Sequence, residues 1–381
     1  MLKNHQSLRW VLSLMSLFLW QTLFAQDIRG LYVNEFKHII GQAQEENELL
    51  QFAQSQGFNY LILYNLYHIH HHLFDLSQKE SSMPLANFIR KAKTEYGILE
   101  VGAVGETFAS FDRIDQFNQN HAADPMACFD VYNIEYEFWN TELNESYYCP
   151  NYLLKEGFDC SDDGSFEFYI HQMQQLHQLA QSRGIKAETY IGSPTDEQAQ
   201  QLGMACDRVL IHFYRKSDVY ENGNSIYNYK SSRLAALAPT EGQLEVMPIF
   251  NSRDHFMGLW LHEHLQDQAY TTFTEGQQGY DEAEGDWKAH LNLVGYQWYR
   301  YTDLCRNLIP QTTKGVLVKN TLNIGGEVDI YNTGGEKLST LHIDPEQTIN
   351  NLLGHLENGV YFLSIRHEGE TVNRKIVISD D

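Results

Sequence analysis

The chain has 381 residues, with 50 acidic and 27 basic side chains and a formal net charge of −23 at pH 7. A chain this acidic repels nucleic acid phosphates and anionic membrane surfaces, so we expect neither as a partner. Neutral substrates stay open, as do anionic substrates that meet a local basic patch. The length suits one large domain together with a small one.

The N-terminal segment, residues 1–25, is typical of a secretory signal peptide. Lys3 and Arg9 supply a basic start, a short apolar stretch follows, and Ala25 ends the segment. The apolar stretch is too short for a confident membrane span, and no later stretch is long enough for one. We therefore predict an exported chain without a membrane span.

Apolar runs and amphipathic helical patterns alternate along residues 26–308. Apolar runs between turn residues predict strands, and apolar residues at the helical period predict helices. The predicted strands span residues 29–33, 58–63, 98–104, 129–139, 186–191, 208–214, 244–250 and 291–299. The predicted helices span residues 45–56, 83–96, 165–183 and 195–204. Eight strands in such an alternation predict an α/β fold, a (β/α)8 TIM barrel.

A long polar loop, residues 140–164, follows the fourth predicted strand. Loops of this length inside a compact domain are usually functional. Two of the five cysteines, Cys149 and Cys160, lie in this loop. In an oxidising compartment these two could close a small disulfide loop, but the connectivity of the five cysteines cannot be deduced from the sequence.

The fourth predicted strand carries an unusual acidic face. Its period of two places Asn133, Glu135 and Glu137 on one side, and Ile134 and its alternate neighbours on the other. Carboxylates at positions i and i+2 lie roughly 6–7 Å apart along a strand, a distance at which paired carboxylates share acid–base work on a glycosidic bond. The alternatives are an edge strand with a solvated acidic face, or carboxylates held by arginines.

Polar side chains follow almost every predicted strand. Because the active sites of (β/α)8 barrels lie at the C-terminal ends of the strands, we predict that these side chains line one site. The predicted catalytic residues are Glu137, Glu135, Tyr214 and Glu188. The predicted substrate-binding residues are Asn133, His212, Asn34, Tyr64, Glu106, Trp139, Asn251, Gln297 and Tyr299.

The composition changes after residue 308. Residues 309–316 are a plausible linker, and short β runs separated by turn pairs predict a small β-sandwich over residues 317–381. The segments VDIYNTGG (328–335), LENGVYFLSI (356–365) and RKIVI (374–378) resemble the C-terminal sorting domain of the type IX secretion system. The resemblance implies export across two membranes, then release or attachment at the cell surface. An unrelated β-sandwich, such as a sugar-binding module, is the alternative.

The barrel resembles glycoside hydrolase family 18, whose fourth strand carries the motif D-x-x-D-x-D-x-E. The residues in the same frame here are Asp130, Asn133, Glu135 and Glu137. The family's sixth strand carries Met-x-Tyr, where this chain has His212-Phe213-Tyr214.

This resemblance implies that Glu137 is the general acid, that Glu135 orients an acetamido group, and that Tyr214 donates a hydrogen bond to that group. The chain departs from the family at Asn133 and at Glu135, which both replace aspartate. An ordinary two-carboxylate mechanism therefore stands beside the substrate-assisted one. Its nucleophile or base would be Glu135, Glu188 or Glu106.

Other motifs add little. The run His68, His70, His71 and His72 lacks a clean ligand spacing, so we expect a loop over the cleft there rather than a metal site. No phosphate-binding glycine motif or nucleophile elbow is present, and we expect no cofactor.

We therefore predict a secreted glycoside hydrolase that cleaves an extracellular polysaccharide or glycan by carboxylate acid–base catalysis. Its expected partners are that saccharide and the type IX secretion machinery. The main alternative is a catalytically inactive barrel that binds glycans or adhesins at the cell surface. A different barrel chemistry, such as that of a lyase or an esterase, is a third possibility.

Overall fold

A computed structural model describes residues 27–214, 230–239, 241–275, 287–308, 326–331, 337–343, 359–367 and 370–378. The predicted signal peptide and the predicted linker lie outside the described residues.

The N-terminal domain is built on a closed ring of parallel strands. β1 pairs with β2 on one side and with β9 on the other, and the pairing of β6 with β7 closes the ring. The predicted (β/α)8 barrel is thus confirmed. Its strands are β1 (Ile28–Val33), β2 (Tyr60–Leu63), β3 (Glu100–Gly105), β4 (Val131–Ile134), β5 (Lys186–Ile191), β6 (Arg208–His212), β7 (Leu244–Asn251), β8 (Leu291–Leu293) and β9 (Gly295–Tyr299).

Two short strands share the eighth position of the barrel, where the sequence predicts one. β8 pairs with the start of β7, and β9 pairs with its end. The break falls at Gly295, whose φ is 143°. A Cβ there would lie 1.9 Å from the carbonyl oxygen of Ile28, so only glycine allows β1 to approach this closely.

Helices surround the ring. The four predicted helices are present, with ends within three residues of those predicted. The helices are α1 (Ala43–Ser55), α2 (Leu66–His72), α3 (Met83–Glu95), α4 (Phe111–His121), α5 (Asp162–Arg183), α6 (Asp196–Gly203), α7 (Lys230–Leu237), α8 (Gln268–Glu275) and α9 (Tyr301–Leu308). The prediction of a loop at the histidine run is wrong, because the helix α2 contains these histidines. Within the described ranges, no helix is long and apolar enough to cross a membrane.

The loop predicted after β4 is largely an irregular helix. Its pieces are Thr141–Leu143, Asn144–Leu153 and Leu154–Glu156. Cys149 and Cys160 form a disulfide with a Cα–Cα distance of 5.2 Å, a pairing that the sequence allows but does not determine. We call residues 141–160 the disulfide segment. Cys128, Cys206 and Cys305 form no disulfide within the described part of the chain.

Apolar side chains form two layers. The larger layer lies between the strands and the helices and includes Ile134, Tyr136 and Phe138. The smaller layer includes Tyr32 and Val131 and fills the barrel interior. Residues of β4 therefore alternate between the two layers, as their period of two predicts.

A network of charges fills the barrel interior near the N-terminal ends of the strands. The guanidinium of Arg208, which is fully buried, lies 2.7 Å from carboxylate oxygens of Glu100 and Glu245, and 3.3 Å from Glu188. Lys186 lies 2.9 Å from Glu245 as well. Buried charges are tolerated only when they are paired and hydrogen-bonded, as these are.

The C-terminal region contains a separate antiparallel sheet with the strand order β11-β10-β12-β13. The strands are β10 (Gly326–Tyr331), β11 (Lys337–Ile343), β12 (Gly359–His367) and β13 (Glu370–Ile378). Buried Asp329 lies 2.6 Å from Lys337 and 2.5 Å from Arg366, so it links three neighbouring strands. Of the predicted β-sandwich, residues 317–325 and the last four residues of the segment VDIYNTGG lie outside the described residues.

Candidate active site

Glu135 and Glu137 lie at the C-terminal mouth of the barrel, directly after β4. The amide of Glu135 donates a hydrogen bond to the carbonyl oxygen of Gly105 at 2.9 Å, so pairing with β3 continues past the strand end. Because Ile134 and Tyr136 belong to the outer layer, the two glutamates face inward. The regular strand is shorter than the predicted 129–139, but the predicted facing of its side chains holds.

Glu137 is held at both of its carboxylate oxygens. The hydroxyl of Tyr190 donates to Oε1 at 2.7 Å, and the side-chain amide of Asn140 donates to Oε2 at 3.0 Å. The backbone amide of Glu137 donates to the hydroxyl of Tyr148 at 3.2 Å. Two donors aimed at the same carboxyl group hold Glu137 in one orientation.

Glu135 lies in a different environment. Burial and then the neighbouring charge of Glu137 together raise the pKa of Glu135 to about 8, against a smaller lowering by the hydroxyl of Tyr190. The hydroxyl of Tyr64 donates to one of its oxygens. Two carboxylates this close cannot both ionise easily, so Glu135 is the member of the pair that keeps its proton near neutral pH.

Tyrosine rings form an arc around this pair. The Tyr32 ring centre lies 6.1 Å from that of Tyr64 and 5.7 Å from that of Tyr299. The ring of Tyr214 lies 6.4 Å from Tyr299. Burial, then Tyr299 and the charge of Glu135, raise the pKa of Tyr214 well above 10, so its hydroxyl stays a donor. The structure therefore brings the predicted Tyr64, Tyr214 and Tyr299 to the carboxylates.

Trp139 and His212 extend the aromatic wall. The Trp139 ring meets Tyr190 and His212 edge to face, with centres 5.5 and 5.6 Å away, and His212 stacks on Tyr214 at 4.1 Å. A Cβ on Gly192 would lie 2.5 Å from the Trp139 ring, so this glycine lets the indole rest on the end of β5. Half-buried Trp139 thus combines packing with a place at the mouth.

A cavity of about 610 Å³ opens beside Glu135. Glu106 lies in its wall, and its carboxylate accepts hydrogen bonds from the hydroxyls of Tyr147, at 3.2 Å, and Tyr152. Both tyrosines belong to the disulfide segment, which therefore forms one side of the cavity. Burial raises the pKa of Glu106. The predicted Glu106 is thus next to the pair, on the β3 side.

Glu188 and Asn133 lie deeper in the barrel than predicted. Both are fully buried, and the side-chain amide of Asn133 donates to Glu188 Oε1 at 2.7 Å. The hydroxyl of Tyr60 donates to the same oxygen at 2.8 Å, and Arg208 binds the other. Glu188 therefore has no open face for a substrate, and we assign it to the interior charge network rather than to catalysis. Glu188 is thus a carboxylate held by an arginine, which is the alternative that the sequence raises for the acidic residues of the fourth strand.

Asn34 and Gln297 make structural hydrogen bonds as well. The side chain of Asn34 binds both the hydroxyl and the amide of Thr302, at 2.8 and 3.1 Å, and so joins β1 to α9. The side chain of Gln297 is fully buried. In the amide orientation that gives hydrogen-bond partners to both its oxygen and its nitrogen, the oxygen accepts from the backbone amides of Leu31 and Tyr32. Neither side chain reaches the carboxylate pair.

Asn251 supports a residue that sequence reasoning missed. Its side-chain oxygen accepts from the amide of Arg253 at 3.0 Å. The Arg253 guanidinium lies 5.3 Å from the ring of Phe256 and 5.6 Å from that of Tyr299, within cation–π range. This places a cation on the wall that carries Tyr214 and Tyr299.

Tyr190 and Asn140 were missed as well. Tyr190 lies two residues beyond Glu188 on the same strand face, so period-of-two reasoning along β5 could have found it. Asn140 follows Glu137 by three residues in a turn, and no sequence pattern marks its role. Among the described residues, no group of three or more His, Cys, Asp or Glu side chains is placed to hold a metal ion.

The fold and the site together define a (β/α)8 barrel with a pair of carboxyl groups at its mouth, joined to a C-terminal sorting domain. Residues 311–379 match the family model described as "Secretion system C-terminal sorting domain". This agrees with the resemblance to type IX sorting domains, and the chain is an exported protein, secreted or attached to the cell surface. A search of curated protein sequences gives no match.

Solved structures with similar folds include glycoside hydrolases. Bacteroides uniformis β-glucuronidase 2, covalently bound to cyclophellitol-6-carboxylate aziridine, shares 10% identity and a TM-score of 0.44, covering 93% of this chain and 46% of that one. A GH5_18 variant from Bifidobacterium longum in complex with Manβ1-4GlcNAc shares 9% identity and a TM-score of 0.46, with coverages of 76% and 71%.

An enzyme of different chemistry is similar too. The homocysteine methyltransferase MmuM from Escherichia coli shares 12% identity and a TM-score of 0.38, covering 77% of this chain and 99% of that one. The chain spans less than half of the β-glucuronidase chain. With identities of 9–12% and TM-scores below 0.5, none of these likenesses assigns an activity to this chain.

Proposed function

We propose that this protein is a secreted glycoside hydrolase that uses Glu135 and Glu137 as its acid–base pair. The observation that carries the proposal is the difference between their environments. Glu135 is pushed toward its protonated form by burial and by its neighbour, and Glu137 accepts two hydrogen bonds as a carboxylate. Paired carboxyl groups with divergent environments are the usual arrangement for an acid and a base in glycoside cleavage.

In the proposed reaction, Glu135 donates its proton to the oxygen of the leaving sugar. Glu137 then either attacks the anomeric carbon or activates a water molecule against it. Tyr190 and Asn140 keep the Glu137 carboxylate in place, Tyr64 donates to Glu135, and the hydroxyl of Tyr214 is a donor for a sugar oxygen. The aromatic wall offers apolar faces for sugar rings.

A substrate-assisted reaction, as implied by the resemblance to family 18, exchanges these roles. Glu137 would be the proton donor, and Glu135 and Tyr214 would hold an acetamido group. The raised pKa of Glu135 and the two donors on Glu137 favour our assignment over that one. Both assignments predict loss of turnover when either glutamate is replaced. Substrates with different leaving groups are therefore needed to distinguish the two assignments.

The test uses the full chain with Glu135→Gln, Glu137→Gln and the control Glu142→Gln, whose side chain is exposed on the disulfide segment. A panel of algal, chitin-type and host glycans is scored for new reducing ends. We expect either site variant to lose roughly 100- to 10,000-fold in kcat, as for loss of a general acid or base, and the control to match the parent.

Aryl glycosides then identify the donor, because a good leaving group needs no protonation. With an activated dinitrophenyl glycoside of a cleaved sugar, we expect Glu135→Gln to keep most of its rate and Glu137→Gln to lose it. The opposite pattern would assign the donor to Glu137. Parental turnover in both variants would reject the proposed function.

Binding without turnover would favour the alternative of a glycan-binding barrel. The specific observation behind it is Asn133, which stands where the family motif has a carboxylate and binds Glu188 instead. Retained glycan affinity in a parent protein that releases no reducing ends from any glycan of the panel would support this second function.

A further inference from the structure

The cavity beside Glu135 is enclosed by three elements of the barrel mouth. The end of β2 and helix α2 form one wall, the segment after β3 forms the second, and the disulfide segment forms the third. Its volume of about 610 Å³ lies within the range of small-molecule sites. Because Glu135 itself lines the cavity, an occupant would lie directly beside the proposed proton donor. The polar residues of the wall include Tyr64, Asn65, His70, His71, Glu106 and Arg113.

Arg113 supplies the permanent positive charge of this cavity. Its side chain is exposed at the start of α4, and within the described ranges it makes no hydrogen bond or ion pair. His70 is close enough that burial and then the charge of Arg113 lower the pKa of this imidazole. His71, also in the wall, is exposed on the same helix. The α2 and α4 sides of the cavity therefore present one guanidinium and two imidazoles.

The acidic groups near Arg113 do not neutralise it by contact. The hydroxyl and amide of Ser77 donate to Oδ1 of Asp75, at 2.6 and 3.0 Å, and lower the pKa of Asp75 most; the charge of Arg113 lowers it less. The same oxygen lies 3.4 Å from Nδ1 of His70. Glu106 is tied to Tyr147 and Tyr152 on the opposite wall. Burial raises the pKa of Glu106, and it raises the pKa of Glu135 to about 8, which reduces the negative charge of Glu135 near neutral pH.

The remaining wall suits neutral hydroxyls. The side-chain oxygen of Asn65 is buried and has no hydrogen-bond partner among the described residues. Asn65 itself adopts a left-handed conformation with φ of 63°, which turns the chain from β2 into α2. An acceptor on one side and a guanidinium on the other match a ligand that carries hydroxyls and an acidic substituent.

We propose that this cavity binds an acidic sugar unit of the substrate, with its carboxylate or sulfate ester at Arg113 and its hydroxyls at Asn65 and Glu106. The inference rests on the proposed function, because it places the acidic unit beside the bond that Glu135 would protonate. A chain with a net charge of −23 repels acidic polymers at long range. A local guanidinium that can form a bidentate contact is the means of recognising such a group at short range.

The test compares Arg113→Gln with Arg113→Lys and with Lys155→Gln. Lys155 is exposed on the disulfide segment and does not line the cavity, so its replacement removes the same charge elsewhere. Binding is measured by calorimetry in the Glu137→Gln background, which requires no turnover. The probes are oligouronates, sulfated galactan oligosaccharides, and neutral cello- and chito-oligosaccharides, each at low and at high salt.

We expect tighter binding of one acidic series than of the neutral ones, and at least a tenfold loss of that affinity in Arg113→Gln. Arg113→Lys should restore part of it, Lys155→Gln should change nothing, and salt should weaken the acidic series alone. The series that responds distinguishes a carboxylate from a sulfate. Equal binding of acidic and neutral probes, no binding of either acidic series, or no effect of Arg113→Gln would each overturn the inference.

These outcomes are separate from the fate of the proposed function. Cleavage of neutral glycans alone, unchanged by Arg113→Gln, leaves the hydrolase proposal standing and rejects the acidic subsite. Selective binding of acidic probes by a parent protein without turnover keeps the subsite and rejects the hydrolase.

Discussion

The hydroxyl of Tyr190 donates a hydrogen bond to Oε1 of Glu137 across 2.7 Å. Tyr190 lies on β5, the strand beside β4, so the contact crosses the mouth between two neighbouring strand ends. Asn140 holds the other oxygen of the same carboxylate. The proposed chemistry depends on this fixed orientation as much as on the carboxylate itself.

Replacing Tyr190 by phenylalanine tests this contact. A hydrogen bond to a charged group contributes about 1.5–3 kcal/mol, so we expect kcat/KM to fall roughly 10- to 150-fold, with little change in Tm. The control is Tyr169→Phe, which removes a hydroxyl that binds Thr189 on the outer face of the barrel. That variant should lower Tm and keep activity. Parental kinetics in Tyr190→Phe would contradict the role assigned to the contact.

The pH dependence of activity follows from Glu135. Burial and the charge of Glu137 raise its pKa to about 8, so the proposed acid is protonated below that pH and loses its proton above it. We expect kcat/KM for natural glycosides to fall as the pH rises through about 8. The basic limb should be much weaker for an activated aryl glycoside, which needs no acid. A basic limb of equal size for both substrates would argue against Glu135 as the donor.

The folding stability of the protein should also depend on pH through the carboxyl group of Glu135, and the raised pKa determines in which direction. Between the ordinary carboxyl pKa and about 8, the folded state holds a proton that the unfolded state has released. Folding therefore loses stability as the pH rises through this window. We expect the Tm of the parent to fall relative to that of Glu135→Gln between pH 5 and pH 8. A constant difference in Tm across that range would contradict the raised pKa.

The disulfide should stabilise the cavity wall as well as the chain. Closing a loop of about 15 residues contributes about 3 kcal/mol in the chain-entropy model, and the Cys149–Cys160 separation is 11 residues. Replacing both cysteines by serine should lower Tm by roughly 6–12 °C if the domain unfolds as one unit. Activity should fall too, because Tyr148 supports Glu137 and Tyr152 holds Glu106 from this segment.

The control for this prediction is Cys128→Ser, which alters a free thiol away from the disulfide segment. It should leave glycan turnover unchanged. If the double variant loses stability but keeps parental turnover, the disulfide segment is a stabilising element and not a support for the site.

The sequence could predict the barrel and the facing of its central acidic residues, because both depend on local periodicity. The alternation of side chains along a strand was enough to predict that Ile134 faces outward and Glu135 inward. The partners of buried polar groups depend instead on strand register. From the sequence, Glu188 is predicted to be an inward-facing acid like Glu135. The pairing of β5 with β6 shows that Arg208 lies opposite it.

Gln297 shows the same limit. It follows a strand pattern as an inward polar residue, but its side chain occupies space that a Cβ on Gly30 would fill and bonds to the backbone of β1. The wrong prediction of a loop at the histidine run has a different cause. Its histidines carry no strong helical or loop preference, and helix α2 depends on Leu66 and Ile69, which are buried in the outer layer.

Glu188 offers the sharpest contrast between an interior acid and a catalytic one. Its two oxygens meet Tyr60, Asn133 and Arg208 in a fully buried site, so Glu188→Gln breaks a charged contact. Arg208 would keep Glu100 and Glu245, and we expect a loss of about 1.5–3 kcal/mol and a fall in Tm of roughly 3–12 °C. Below that Tm, kcat should stay within a few-fold of the parent. Thermal unfolding and glycan turnover measured on the same preparation decide the matter: a collapse of kcat with an unchanged Tm would return Glu188 to the catalytic set.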